Sequence, residues 1–419
     1  MIVISIGLTL RLIAFSAGDI DQARDKLAYW SMAQQIARGQ PIDIDTYLGM
    51  AKALYPPGMG IVLAPLVAMF GPDPLALFGF NAVLFAITVY VAFRTCRALQ
   101  LPTTARLAPL IIAFWPNHIA GSTMATKELV IGLLIPVIFG LVLTAAQRGT
   151  LWQWRSVAAG ALLGAAALTQ PAMAMLGLSV AFWDWIVGRN LRSAIVRSAI
   201  VAIVSFAVIA PWAVRNYQVF GQFVPFTTAG GMSFSLANND HASGRFIPME
   251  QYFPDWQQFP EPHWDTEAAV RARQWIVSHP IEFLQLVPRR QMAYLCCSND
   301  NVFDWIWLGL NIRDWRYVAA NATAGIAWIV ILSAALVAAA SAAKHGAPRK
   351  PLARDPKVYS YILLVPPILI SLALHSTGES GARFGFTFFV FWSILAGMLA
   401  EWSPKILAPS HPQKPSQRA

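Results

Sequence analysis

The chain has 419 residues, of which 56% are hydrophobic and only 12% charged, and its mean hydropathy is +0.51. A soluble domain carries about 25% charged residues, so a water-soluble protein is excluded and a polytopic, all-α integral membrane protein is implied. The formal charge of +10 is gathered in short loops, which is the footprint of cytoplasmic loops and not of a nucleic-acid binder.

A spanning helix needs about 20 largely apolar residues. Runs at 1–16, 74–93, 105–122, 127–146, 156–170, 171–188, 195–213, 318–342, 358–376 and 382–401 predict about ten spans. The first run, MIVISIGLTLRLIAFSAG, lacks a basic leader and is interrupted by Arg11, so it reads as a membrane helix and not as a signal peptide. The run 56–70 is apolar but short, and two prolines open it. Orientation settles its role. Arg94, Arg97 and Arg106, then Arg148 and Arg155, then Arg189, Arg192 and Arg197, then the run from Lys344 to Lys357, and Lys405 with Lys414 all fall on one side only if 56–70 does not cross. The expectation is therefore an interfacial or re-entrant 56–70, with both termini cytoplasmic.

That choice places 17–73, the turn near 120–127, Thr169-Gln170-Pro171, the stretch 214–317 and His375–Gly381 on the outer face. The expected organisation is a membrane core over 1–213 with its first outer loop at 17–73. An outer region follows over 214–317, then C-terminal membrane helices over 318–402 and a disordered tail over 403–419. Within 25–38, Leu27, Tyr29, Trp30, Met32, Ala33, Ile36 and Ala37 recur at helical spacing, which predicts a helix lying along the interface. The stretch TEAAVRARQWIVSHPIEFLQLVPRRQMAYL predicts two amphipathic helices broken at His279-Pro280. The segment 225–244 is rich in glycine and amides, with no helical pattern on either side. Cys96, Cys296 and Cys297 form neither a disulfide framework nor a metal spacing.

Ionisable groups at a membrane rim are costly, so each asks for a reason. Asp25 opens the interfacial helix; taken alone it reads first as an N-cap, with a catalytic base as the functional alternative. Lys127-Glu128 begin a span, where the glutamate can simply compensate the helix dipole. Arg215-Asn216 follow Ala210-Pro211-Trp212; the arginine either reaches to headgroups or clamps a phosphate bidentately. Asn238, Asn239 and His241 in 225–244 either bind a sugar or phosphate or belong to a surface turn. Glu379 and Arg383 make an i,i+4 pair. All of these, with Gln170, share the outer face, whereas a transport pathway would place ionisable groups near the midplane.

The motifs, in order, resemble the GT-C superfamily of polyprenol-phosphate-sugar-dependent glycosyltransferases, specifically its dolichyl-phosphate-mannose-protein mannosyltransferase-like group. Asp25 with Tyr29, Ala33 and Gly39 resembles the opening of that family's first outer loop, and Tyr55-Pro56-Pro57-Gly58 with Phe70-Gly71 its next segment. Lys127-Glu128 stands where the family has an acidic pair. GALLGAAALTQP, Ala210-Pro211-Trp212 with Arg215-Asn216, the Gly230-Gly231 to Gly244 loop with Asn238-Asn239, and Glu379 with Arg383-Phe384 follow. Gln170 replaces the family's usual arginine, and Asp240 its proline.

The resemblance implies a GT-C-type fold in a bacterial inner membrane with the active site on the periplasmic face. It implies inverting transfer of a sugar from a polyprenyl-phosphate donor to a glycan, lipid or protein acceptor. Asp25 is then the catalytic base, with Glu128 orienting substrate. Arg215 and Lys127, with Tyr55, Asn216 and Arg383, hold the donor phosphate and lipid. Gln170, Asn238, Asn239, His241 and Glu379 face the sugar or acceptor. No metal site is predicted, and Asp25 with Glu128 alone leaves a divalent ion undecided. Readings from other classes are a flippase of a lipid-linked saccharide and a non-catalytic subunit of a polysaccharide machine.

Overall fold

The computed structural model describes residues 2–17, 25–46, 49–149, 151, 153–244, 247–295, 315–344 and 356–401. The expected tail at 403–419 and the pair Cys296-Cys297 lie outside the described residues, as does the side chain of Asp25.

The chain begins with α1 (Ile2–Ala17) and α2 (Asp25–Ala37), followed by a small antiparallel hairpin of β1 (Ile44–Thr46) and β2 (Gly49–Ala51). In the hairpin Ile44 stands opposite Ala51 and Thr46 opposite Gly49. Next come α3 (Gly58–Phe70), α4 (Pro74–Ala98), α5 (Thr104–Phe114), α6 (Pro116–Gly121), α7 (Lys127–Arg148) and α8 (Trp154–Thr169). A 3-10 turn, Pro171–Met175, leads into α9 (Leu176–Gly188) and the long α10 (Leu191–Phe220). The segment after it carries α11 (Gly230–Ala237), α12 (Met249–Tyr252), α13 (His263–Ser278) and α14 (Pro280–Leu295). The last helices are α15 (Trp315–Lys344), α16 (Pro356–His375), α17 (Ala382–Phe386) and α18 (Phe389–Gly397).

Local chemistry sets many of these ends. Asp73 caps α4 by accepting from Leu75 N at 2.8 Å, with Pro74 at the first helical position. Asn190 caps α10 in the same way through Ser193 N at 3.0 Å. The run predicted at 105–122 is interrupted where Trp115, extended ahead of Pro116, separates α5 from α6.

Among the described residues, six helices are long and apolar enough to cross a membrane: Pro74–Ala98, Lys127–Arg148, Pro171–Gly188, Leu191–Phe220, Ala322–Ala340 and Val358–His375. Helices also cover the other four predicted runs, but α1 and α8 are shorter and the remaining two are interrupted. At about 1.5 Å per residue, α3, with 13 residues, falls well short of a hydrocarbon core about 30 Å thick. It packs against α2, and the expected break between amphipathic helices stands where His279 separates α13 from α14.

Packing is tight and mostly apolar. In α8, Gly160 and Gly164 let the helix close onto Val201, Ser205 and Val208 of α10, as small residues do between membrane helices. Ser205 Oγ donates to Gly160 O at 2.9 Å across that seam. Arg11, the oddity of the first run, is fully buried. Its guanidinium donates to the carbonyls of Gly7, Ala113 and Ile112 and to Ser122 Oγ, meets His118 Nδ1 at 2.9 Å, and lies 3.5 Å from the Phe85 ring centre. It fastens α1 to α5 and α6. Arg197, read from sequence as a loop charge, is instead buried in a bidentate pair with Asp184 of α9, at 2.8 and 2.5 Å.

Candidate functional site

A cavity of about 690 Å³ opens between the membrane helices and the segment that follows α10. Its floor and sides come from Tyr29 of α2, Leu54 to Pro56, Lys127 at the start of α7, Gln170 to Ala172 after α8, and Leu374 to Phe384 around the end of α16. Its roof is α11 and α12, with Ala229 to Leu236 on one side and Pro248 to Tyr252 on the other.

Three buried or half-buried charges outside the cavity hold the roof down. Glu261 accepts from Lys52 N at 2.7 Å and Ala53 N at 2.8 Å, and from Thr228 Oγ1 at 2.6 Å. It thereby joins the wall at 52–56 to the approach to α11. Asp265 accepts from Gly231 N at 2.6 Å and Met232 N at 3.2 Å in the first turn of α11. Burial raises its carboxyl above the ordinary aspartate range, and those two hydrogen bonds partly oppose the rise. Arg290 of α14 donates to Ser376 O at 2.9 Å, to Asn238 Oδ1 at 3.0 Å and to Ala237 O. It spans from the end of α11 to the strap at 376–381. Burial pulls it down to about 10, so it keeps its charge at neutral pH. At the far edge of the roof, Asp255 binds Arg271 at 2.6 and 2.8 Å, and that contact holds Asp255 below the usual carboxylate range.

Inside the cavity the described charges are Lys127, Glu250, Glu379 and Arg383. Lys127 is half-buried with its Nζ 5.9 Å from the centre of the Tyr29 ring. It has no carboxylate partner among the described residues. Tyr29 meets Tyr55 edge to face at 5.8 Å. Arg383 Nη2 reaches Glu379 Oε1 at 3.2 Å, and Ser233 Oγ donates to Glu379 Oε2 at 3.3 Å, so this pair ties α17 to α11 across the cavity. Among the described residues no three His, Cys, Asp or Glu side chains come together as a metal centre.

The cavity thus brings together Tyr55, Lys127, Gln170, Glu379 and Arg383 of the residues singled out from sequence. Of the others, Asp25 has its side chain outside the described residues, and the rest do not line the cavity. Asp25 begins α2, four residues before Tyr29. Glu128 is buried in the first turn of α7. Arg215 donates to Lys52 O at 2.9 Å and Ile42 O at 3.0 Å and lies over Trp212, while Asn216 donates to Val224 O at 2.9 Å. Both therefore support the wall leading to Tyr55. The segment 225–244, read from sequence as a glycine- and amide-rich stretch with no helical pattern on either side, contains α11, and its amides close on backbone: Asn238 Nδ2 on Phe234 O and Thr377 O, Asn239 Nδ2 on Ser235 O and Leu236 O. His241 is exposed, its N–H donating to Asn239 Oδ1 at 2.8 Å.

Sequence reasoning missed Glu261, Asp265, Arg290, Glu250 and His375. The first three act on partners more than thirty residues away, so no spacing rule marks them. The available hint was that their charges interrupt an outer segment with no spanning run.

Residues 55–214 match the model of the dolichyl-phosphate-mannose-protein mannosyltransferase family. None of the curated proteins matches the chain. Among solved structures, the apo oligosaccharyltransferase of Archaeoglobus fulgidus is similar at 13% identity with a TM-score of 0.56, over 96% of this chain and 49% of that one. Its complex with zinc and sulfate gives 14% and 0.53, over 95% and 48%. ArnT from Cupriavidus metallidurans bound to undecaprenyl phosphate gives 16% and 0.45, over 96% and 76%. The chain spans about half the length of the oligosaccharyltransferase it matches. The likeness to that enzyme is one of fold, and it agrees with the GT-C resemblance carried by the motifs, as does the family match.

Proposed function

We propose that the chain is an inverting glycosyltransferase. It moves a sugar from a polyprenyl-phosphate donor to a glycan, lipid or protein acceptor at the outer face of a bacterial plasma membrane. The observation that carries this reading is the roofed cavity in which Lys127, at the N-terminus of α7 and without a carboxylate partner among the described residues, stands with Tyr55, Gln170 and Arg383. A helix N-terminus bearing a lysine suits a phosphate. Tyr55, Lys127 and Gln170 lie within the stretch that matches the mannosyltransferase family model.

The chemistry needs one base and one anion site. The acceptor hydroxyl oxygen attacks the anomeric carbon from the face opposite the phosphate. The carbon–oxygen bond to phosphate breaks, its electron pair leaves with the lipid phosphate, and the hydroxyl proton passes to a carboxylate. Because lipid phosphate is a good leaving group, one carboxylate suffices, unlike the two of a glycosidase. We assign the base to Asp25. Glu128, buried behind Lys127 in the first turn of α7, sets the position of that turn. Lys127, joined by Arg383 when the anion draws it from Glu379, stabilises charge on the departing phosphate. Arg215 keeps the 42–55 wall in place behind Tyr55.

Asp25→Asn is expected to reduce transfer from radiolabelled polyprenyl-phosphate sugar by at least about 100-fold, while protein level and membrane insertion stay unchanged. Full activity in that variant would remove Asp25 from the mechanism. Movement of label across the bilayer without attachment to a second molecule would favour a flippase instead.

A further inference from the structure

Two polar side chains on the cavity wall are left incomplete. Among the described residues, Gln170 is 5% exposed and its Oε1 accepts no hydrogen bond, and His375 is 7% exposed and its Nε2 has no partner. Both residues line the cavity. The 3-10 turn that follows Gln170 packs on α16, whose last residue is His375, so the two elements that carry these side chains meet at the cavity. The His375 ring is gripped edge to face by Tyr294 at 5.4 Å and Phe384 at 4.5 Å. Buried polar atoms in folded proteins nearly always have a partner, and two deficits on one cavity wall mark where a bound group completes the structure.

The chemistry of that group follows from the atoms. An amide oxygen only accepts, so a phosphate, which also only accepts, cannot satisfy the Gln170 Oε1 as it stands in the cavity wall. Neither atom has a carboxylate partner, and an ammonium desolvated there would be costly. A neutral hydroxyl donates to Gln170 and either donates to or accepts from His375, whichever tautomer is present. Lys127 and Arg383 supply the anion contacts elsewhere in the cavity. We propose that Gln170 and His375 form the subsite that reads the hydroxyls of the donor's neutral sugar ring, separate from the site of its phosphate. This rests on the reading of the chain as a lipid-phosphate-sugar transferase.

The test is binding of two probes to the purified full chain in detergent: polyprenyl phosphate, and polyprenyl phosphate esterified to mannose. Wild type should prefer the mannosyl lipid. Gln170→Leu and His375→Phe should each reduce affinity for the mannosyl lipid about 5- to 10-fold, the worth of one hydrogen bond, and leave affinity for the bare lipid within about twofold. The melting temperature of unliganded Gln170→Leu should equal or exceed that of wild type, because an unsatisfied buried atom has been removed; a merely structural glutamine would give a lower one. A mannosyl-to-bare affinity ratio unchanged in both variants, or parallel loss of both lipids, overturns the proposal. Should one variant fail to fold, the other decides. If wild type binds neither lipid, the reading of the chain as a lipid-phosphate-sugar transferase is what fails.

Discussion

A single lysine best distinguishes this cavity from an ordinary membrane crevice. Lys127 follows Thr126 at the first position of α7, where the helix already presents free N–H groups and positive dipole. A second positive charge there works against the helix unless an anion is to be bound. Tyr29 shields one side of the ammonium by a cation–π contact, which leaves the cavity side for a ligand. Lys127→Gln is expected to raise the KM for the lipid donor about 10- to 100-fold, the worth of one charged hydrogen bond, with a smaller effect from Lys127→Arg. Steady-state kinetics at varied donor concentration check this. Arg215 shows the opposite outcome for a similar cation: two carbonyls and the Trp212 ring engage it, and its role is mechanical.

At the scale of elements, the roof is the decisive part, and charges on α13 and α14 position it. Gly231 of α11 lies so close to the Asp265 carbonyl that any Cβ would collide with backbone. The approach also brings the Asp265 carboxylate onto the N–H groups of Gly231 and Met232. Burial raises the Asp265 pKa. A carboxyl whose folded pKa is raised contributes stability that is present below its unfolded value of about 3.9 and is lost as pH rises through the folded value. Asp265→Asn keeps the acceptor oxygen and removes the charge. Its melting temperature should match wild type near pH 4 and exceed it near pH 7, so thermal melts at the two pH values decide. Asp255 carries the opposite sign, since Arg271 lowers it. Its contribution is present above the unfolded value and fades as pH falls through the folded one, and it is small because the pair is about one-third exposed.

For the whole molecule, the proposal requires that the roof and the basic loops lie on opposite sides of the membrane. Gln258, between α12 and α13, and Thr103, between α4 and α5, are both exposed. In a cysteine-free background, Gln258→Cys should react with a membrane-impermeant maleimide added to intact spheroplasts, and Thr103→Cys only after lysis. The reverse pattern would put the cavity in the cytoplasm and exclude the outer-face reading.

Hydrophobic runs about 20 residues long, the amphipathic spacing at 25–38, the prolines that open 56–70 and the His279-Pro280 break are local properties. They sufficed to place most of the helices, including a 13-residue α3 too short to span. Local motifs also singled out Tyr55, Lys127, Gln170, Glu379 and Arg383, which the fold brings to one cavity. Which cations remain available to a ligand was decided only in three dimensions. Arg11, Arg197, Arg215 and Arg290 are all engaged by hydrogen-bond partners within the fold, and nothing in their sequence neighbourhoods separates them from Lys127. The roof likewise depends on Glu261, Asp265 and Arg290 meeting backbone groups far along the chain. A backbone N–H or carbonyl carries no residue identity, so a carboxylate or guanidinium that binds one leaves no pattern in the sequence to be read.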